Sequence, residues 1–265
     1  MPSIEELGDI MKLEILLSVL NLKKKDLDKM NISSSCTVIN QCDKEDYSKY
    51  KNFRIYSYNE RGISLSRNRA LEKATGDIIL FCDDDMEYVD NYEKIILESF
   101  KSKEKADMIL FNIEMSDRYF KKNKKNKRIH FFNCMRYGTV NIAIKRDSIK
   151  DIKFNELFGS PDYYRSGEDT LFIIDCLKSG LKLYSSTNCI GTVNNVNSSW
   201  FNGYNEKFFF DKGALFCAIS VRLRCFLCLQ YLLRHRYVFK KIGFFKAYSI
   251  MLKGAKSYLE MKVDD

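Results

Sequence analysis

The sequence predicts an α/β fold, a mostly parallel sheet flanked by helices, with a helical extension at the C-terminus. Three observations predict it. Over the first 115 residues short apolar runs alternate with helical or polar segments, the rhythm of a parallel sheet with crossovers. Apolar residues make up 45% of the 265-residue chain, enough to bury a core of this kind. From Asp211 onward the pattern changes to apolar helices studded with cations, as in LFCAISVRLRCFLCLQYLLRHRYVFKK.

Taken in order, the apolar runs place strands at Leu13–Leu20, Cys36–Asn40, Phe53–Tyr56, Ile78–Cys82 and Met108–Ile113. Between the third and fourth, helical spacing runs through Arg67, Ala70, Leu71 and Ala74, with Ser64 as N-cap and Gly76 as the residue just past the end. The segment DRYFKKNKKNKR, residues 117–128, has almost no apolar content and reads as a solvated surface loop, contact with anionic lipid or substrate being the alternative. Beyond it, Tyr137–Lys145 reads as a strand, Glu168–Lys178 as a helix closed by Gly180, and Leu181–Tyr184 as a strand. Within the second helix Leu171, Phe172, Ile174 and Leu177 are expected to face inward.

Composition narrows the function. No run of eighteen uncharged apolar residues occurs, and Glu5 and Glu6 stand where a signal peptide would carry basic residues. The chain is therefore expected to face the cytoplasm. Nine cysteines without regular spacing suit reduced thiols, and the pair Cys225 and Cys228 lacks the second pair that a structural zinc site needs. With only two histidines, His130 and His235, catalysis has to lean on carboxylates. The net charge of +9 calls for an anionic partner, whether nucleic acid, membrane surface or phosphorylated small molecule. No RNA-recognition, zinc-finger or basic-region pattern accompanies that charge, so nucleic acid is not the expected partner.

Asp83, Asp84 and Asp85 directly follow the apolar run from Ile78 to Cys82, where a buried parallel strand ends and where open α/β sheets bind ligands. Adjacent carboxylates repel one another. A divalent cation offsets that repulsion and lets the acids hold a diphosphate; Asp83 and Asp85 are the ligand candidates, and oxygen-only ligands favour Mg2+ or Mn2+. The same acids would equally serve as hydrated caps of the following helix. Gly167, Glu168 and Asp169 open the second helix, where acids also suit the helix dipole. A carboxylate fixed there, near a metal-bound electrophile, would act as a general base toward an attacking hydroxyl.

The run ERGISLSRNRALEKATGDIILFCDDDMEYVDNY, followed by GTVNIAIKR and then by GEDTLFIIDCLKSGLKLY, resembles the inverting family 2 glycosyltransferases of the GT-A fold over roughly residues 12–200. The resemblance implies a Rossmann-like GT-A domain over residues 1–205, with a donor half of about 1–115 and an acceptor half of about 129–205, and a basic helical extension over 206–265. It implies Asp83 and Asp85 as the Asp-x-Asp motif, with Asp85 the direct metal ligand, Asp84 near the ribose and Asp169 as catalytic base. Glu168 would orient the acceptor or the base. Arg67, in the Arg67-Asn68 pair, would meet the nucleotide or its phosphates, a plain helix-surface arginine being the alternative. The chain departs from the family at two donor positions: Leu17-Ser18-Val19-Leu20-Asn21 and Asn40-Gln41 replace the usual strand-end motifs, leaving Leu20, Asn21 and Gln41 as the candidate nucleoside contacts. It also has no histidine between Leu181 and Trp200, so water or the diphosphate would complete the metal shell.

Trp200, the only tryptophan, lies in a polar stretch and would stack on an acceptor sugar or simply pack. In the extension, Arg222, Arg224, Arg234, Arg236, Lys240, Lys241 and Lys246 mix with Leu, Phe, Ile and Cys, a composition suited to helices at a bilayer interface or to a lid or homodimer face. The expected function is transfer of a sugar from a nucleotide-diphosphate sugar, a UDP-hexose or UDP-N-acetylhexosamine, to a saccharide acceptor. That acceptor would be a polyprenyl-diphosphate saccharide at the inner face of the cell membrane, in bacterial surface polysaccharide (capsule) synthesis. The alternatives are a non-catalytic saccharide- or membrane-binding module of the same fold and a sugar-phosphate nucleotidyltransferase. The latter would need a glycine-rich loop after the first strand, and Asn21–Asp28 contains no glycine.

Overall fold

The computed structural model describes residues 11–115, 122–193 and 203–261. Among them the chain forms strands β1 (Leu13–Leu20), β2 (Ser35–Gln41), β3 (Asp46–Tyr50), β4 (Phe53–Tyr58), β5 (Ile78–Asp83), β6 (Met86–Tyr88), β7 (Met108–Met115), β8 (Ile142–Lys145) and β9 (Leu183–Val193). Its α-helices are α1 (Lys24–Leu27), α2 (Ile63–Lys73), α3 (Tyr92–Ser102), α4 (Glu168–Lys178), α5 (Glu206–Ile219), α6 (Arg224–Arg234) and α7 (Phe244–Met261). The strands make one sheet in the order β3-β4-β2-β1-β5-β8-β7-β9-β6. β1 pairs in parallel with β2 and β5, and β2 pairs in parallel with β4. β8 runs antiparallel between β5 and β7, and β9 lies parallel to β7.

Strand periodicity explains why the first strands are apolar on both faces. Leu13, Ile15, Leu17 and Val19 of β1 join one buried cluster, with Ile78, Leu80 and Cys82 of β5, while Leu16, Ile79 and Phe81 join a second cluster across the sheet. In β1–β5 register Ser18 lies opposite Asp83, so the carboxyl ends of the parallel strands gather the groups that follow them.

The structure corrects several local expectations. Ser64 lies inside α2, not at its cap: Gly62 is the N-cap, and the Ser64 hydroxyl donates to Phe158 O at 2.6 Å. α2 ends at Lys73 with Ala74 extended, and Gly76 serves close packing instead, since a Cβ there would lie 2.5 Å from that of Glu14. Only Ile142–Lys145 of the strand expected over 137–145 is extended. Asn141 curls the preceding residues into a 3-10 turn, accepting from Gly138 N at 3.0 Å and donating to Phe111 O at 2.9 Å. Of the described part of the basic segment, residues 122 and 124–128 are exposed as a surface loop requires, with one exception. Asn123 is buried, takes Asn112 Oδ1 at 2.7 Å through its N–H and donates its side-chain amide to Leu110 O at 3.1 Å. β9 runs on past the expected Tyr184 because Ser185 and Ser186 are buried, Ser185 donating to Lys125 O at 3.1 Å.

The C-terminal helices pack onto the α/β body. Ala214, Leu215 and Cys217 of α5 and Ala255 and Tyr258 of α7 share a buried cluster with Phe158, Tyr164 and Leu171. α5 and α7 touch backbone to backbone. A Cβ on Gly213 would lie 1.8 Å from Met251 O, and one on Gly254 would lie 1.9 Å from Phe210 O, so only glycine permits the crossing at both points.

Candidate active site

The site is built around α2, whose first turns cross the carboxyl ends of β1 and β5. Ser66 Oγ donates to Ser18 Oγ at 2.9 Å, fixing the helix to β1. Ile63 N–H donates to Gly159 O at 2.9 Å, and Asn68 donates to Phe154 O at 3.0 Å and accepts from Phe154 N at 2.8 Å. These bonds tie the first half of the chain to the segment that leads into α4. Arg67, buried between them, lies over the Phe154 ring at 5.5 Å.

From that position Arg67 meets three carboxylates. Its Nη2 reaches Asp83 at 3.1 Å, and its Nη1 reaches Glu168 at 3.2 Å and Asp169 at 3.0 Å. The acids at the end of β5 and those at the start of α4 therefore belong to one cluster, although Asp83 and Glu168 are 85 positions apart in sequence. Burial alone would favour loss of the Arg67 proton, but the charges of Asp83, Asp169 and Glu168 outweigh it and hold the guanidinium above its ordinary range. Among the described residues its ion pairs all end on carboxylates of this chain.

Asp169 has a second support in Thr139, whose hydroxyl donates to the same Oδ1 that Arg67 contacts. The Asp169 side chain is 29% exposed, against 12% for Glu168, so Asp169 is the more open of the two acids to an incoming molecule. Glu168 is the more confined: its Oε2 is buried without a hydrogen-bond partner among the described residues. Burial, then repulsion from Asp169, lifts the Glu168 carboxyl to about 7 against the opposing pull of Arg67. Lys212 of α5 extends this electrostatic group. Its ammonium is depressed first by burial and sustained by Glu168, Asp211 and Asp169, while Leu215, one turn further on, packs against Gly167 at the start of α4.

At the end of β1 lies a cavity of about 320 Å³ whose lining includes Leu20, Asn21, Lys23, Asp26 and Asp84, the residue that follows Asp83. Three of the sequence-predicted donor residues thus border one space. Gln41 is adjoining but occupied: its Oε1 accepts from Gly62 N at 2.7 Å, while its backbone carbonyl accepts from Asn21 N at 3.0 Å. Asp84 stands at the cavity rim and Asp85 follows it in the turn to β6. Desolvation first, then repulsion from Asp83 and Asp84, raises the Asp85 carboxyl to about 6, and the Asp84 carboxyl is raised by desolvation and by Asp83. Among the described residues no three His, Cys, Asp or Glu side chains are arranged to enclose a metal ion. Asp84 and Asp85 nonetheless suit a divalent cation, which would relieve their repulsion and take its remaining ligands from a diphosphate and water. Trp200 lies outside the described residues. Thr139 and Lys212 carry no assignment from sequence reading: Thr139 stands inside the quoted GTVN run, but Lys212 is one cation among many in the extension.

Comparison with known proteins agrees with this geometry. Residues 38–160 match the family model of Glycosyl transferase family 2. Among solved structures, the chain resembles S. aureus TarS 1-349 in complex with UDP-GlcNAc, with a TM-score of 0.65 at 16% identity, covering 96% of this chain and 83% of that one. The same TarS fragment in complex with UDP gives a TM-score of 0.63 at 16% identity, over 96% and 82% of the two chains. Against the longer TarS structure the TM-score is 0.63 at 16% identity, over 96% of this chain, which there spans only 50% of its counterpart's length. No curated protein sequence matches the chain. At this identity the TarS likeness establishes the fold, a GT-A fold with a mostly parallel central sheet.

Proposed function

We propose that this chain, a family 2 glycosyltransferase by its match over residues 38–160 and a GT-A protein by its fold, moves a sugar from a nucleotide-diphosphate sugar to a saccharide hydroxyl with inversion at the anomeric carbon. The observation that carries the reading is the convergence of Asp83, Glu168 and Asp169 on Arg67, with the next residue, Asp84, lining a cavity at the end of β1. The donor nucleoside would occupy the cavity at Leu20, Asn21 and Asp84, with its diphosphate toward Asp83 and Asp85. Mn2+ or Mg2+ bound at Asp85, with Asp83 or Asp84, would supply positive charge for the departing diphosphate.

The residues of the chain then divide the remaining work. Asp169, oriented by Arg67 and Thr139 through a single oxygen, takes the proton of the acceptor hydroxyl as that oxygen attacks C1 from the face opposite the diphosphate. The C1–O bond breaks with its electron pair going to the diphosphate, so no covalent enzyme intermediate forms. Arg67 holds three acids that would otherwise repel one another at bonding distance, and Glu168 steadies the arrangement from the buried side. The structure of TarS with UDP-GlcNAc favours a UDP-hexose or UDP-N-acetylhexosamine as donor. The acceptor is proposed as a saccharide, lipid-linked and presented at a membrane against which the C-terminal helices lie.

Asp169→Asn tests the assignment. Transfer should fall at least about 10³-fold, within the range associated with loss of a general base, while donor binding, read as a thermal shift with manganese and the nucleotide sugar, is retained. Near-normal turnover by that variant would remove Asp169 from the reaction.

A further inference from the structure

From Lys212 to Leu259 inclusive the chain contains no aspartate or glutamate but ten lysines and arginines. All of α6 and its flanking turns fall in this stretch. Cys228 and Leu232 anchor α6 in a buried cluster with Phe209 and Phe216 of α5 and Met251 of α7. The exposed side next to it is apolar too. Phe226, Leu229 and Leu233, spaced to share one side of the helix, are all exposed, Phe226 to 60% and Leu233 to 52%. Val221 and Leu223 in the turn before α6 and Tyr237 in the turn after it are exposed as well. Tyr248 of α7 donates to Cys225 O at 3.5 Å, which sets the first turn of α7, carrying the 85% exposed Phe245, beside the first turn of α6.

The cations around this face are uncommitted. Arg222, Arg234, Arg236, Lys240 and Lys241 are exposed and form no ion pair with a described carboxylate, whereas Lys246 is engaged by Glu206 at 2.7 Å. A water-exposed surface rarely concentrates so many large apolar side chains without a partner. Packing against a second copy of the chain would press these cations against like charges with no carboxylate in the stretch to answer them. Anionic lipid supplies both an apolar boundary and phosphate charges. No described helix is long and apolar enough to cross a membrane, so the helix would lie in the plane of the surface.

We propose that α6 and its flanking turns form a docking face for anionic membranes, with Phe226, Leu229 and Leu233 entering the boundary between headgroups and acyl chains while Arg222, Arg234, Arg236, Lys240 and Lys241 meet lipid phosphates. The inference sharpens the membrane part of the proposed function and is independent of the transfer chemistry, which its test leaves untouched.

The test is co-sedimentation of the full chain with phosphatidylcholine vesicles with and without phosphatidylglycerol, over a range of salt. Binding is expected only when phosphatidylglycerol is present and should weaken as salt rises. Neutralising Lys240 and Lys241 as Lys240→Gln and Lys241→Gln should lower the partition coefficient about fivefold per charge. The pair Phe226→Ser and Leu233→Ser should lower it about tenfold or more. Both sets of changes lie on the exposed face, so the thermal shift given by manganese with UDP-GlcNAc should stay as in the wild type, which confirms folding and separates docking from donor binding. The proposal is overturned if the wild type ignores phosphatidylglycerol vesicles. It is overturned equally if the two serine substitutions leave binding intact, if binding disappears instead with Phe132→Ser on the loop where that ring is 96% exposed, or if the α6 variants abolish only a dimer seen in sedimentation.

Discussion

Arg67 makes one buried cation responsible for three acids, and its removal is therefore a severe test. Arg67→Met would leave Glu168 confined and Asp83 and Asp169 facing one another without a counter-charge. It should cost about 3–5 kcal/mol of stability, read by chemical denaturation, and the addition of Glu168→Gln should restore part of that loss. Glu168 also gives the molecule a defined pH response. Its carboxyl is raised from 4.5 to about 7, chiefly by burial, so between those values the native chain keeps a proton that the unfolded chain has released. Stability should consequently fall as pH climbs through that window and level off above it. Glu168→Gln should flatten that part of the curve in melting experiments run across it; an unchanged slope would assign the response to another group. Both acidic stretches were legible in sequence, because acids at a strand end and at a helix start are visible from pattern and flanking residues. The hub was not. Arg67 has the spacing of an ordinary helix residue, and its ion pairs with residues 16, 101 and 102 positions away exist only once α2 is laid over the sheet.

At the scale of elements, the crossing of α5 and α7 is the contact least tolerant of change. Gly254→Val would drive a side chain into Phe210 O, so the helices must separate or the chain must distort. A loss of at least about 1–3 kcal/mol is expected, measured as a lower denaturation midpoint, whereas a neutral result would mean that the helices can shift apart freely. The same scale shows what pattern reading finds and what it misses. β1, β2, β5 and β7 announce themselves as apolar runs because they are buried on both faces, and β4 is legible through the alternating, buried Phe53 and Ile55. β3 has exposed and half-buried residues throughout, and β6 is three residues long, so neither leaves an apolar signature. β8 was overextended because Asn141 bends the chain through side-chain bonds to Gly138 and Phe111 that no periodicity encodes.

For the whole molecule, the shared cluster of Phe158, Tyr164, Leu171, Ala214, Leu215, Ala255 and Tyr258 joins the C-terminal helices to the helix that carries Asp169. A chain cut at about residue 211 would expose Phe158, Tyr164 and Leu171, three side chains the extension now covers. Such a fragment should be recovered as aggregate or melt without a cooperative transition, and a truncated protein that melts like the full chain would show the extension to be an independent module. The boundary expected at residue 205 falls where α5 begins, while the packing runs across it. Composition records what each segment is made of but not which surfaces they hide from water together. Because Leu215 sits against Gly167, immediately before the acidic pair, and α6 is braced on α5, a bilayer touching α6 would hold Asp169, the proposed base, at one fixed height above the headgroups. The protein would then sort its acceptors by reach: a hydroxyl is glycosylated only if its own tether lifts it to that height, and chemically identical hydroxyls nearer or farther from the lipid go unmodified.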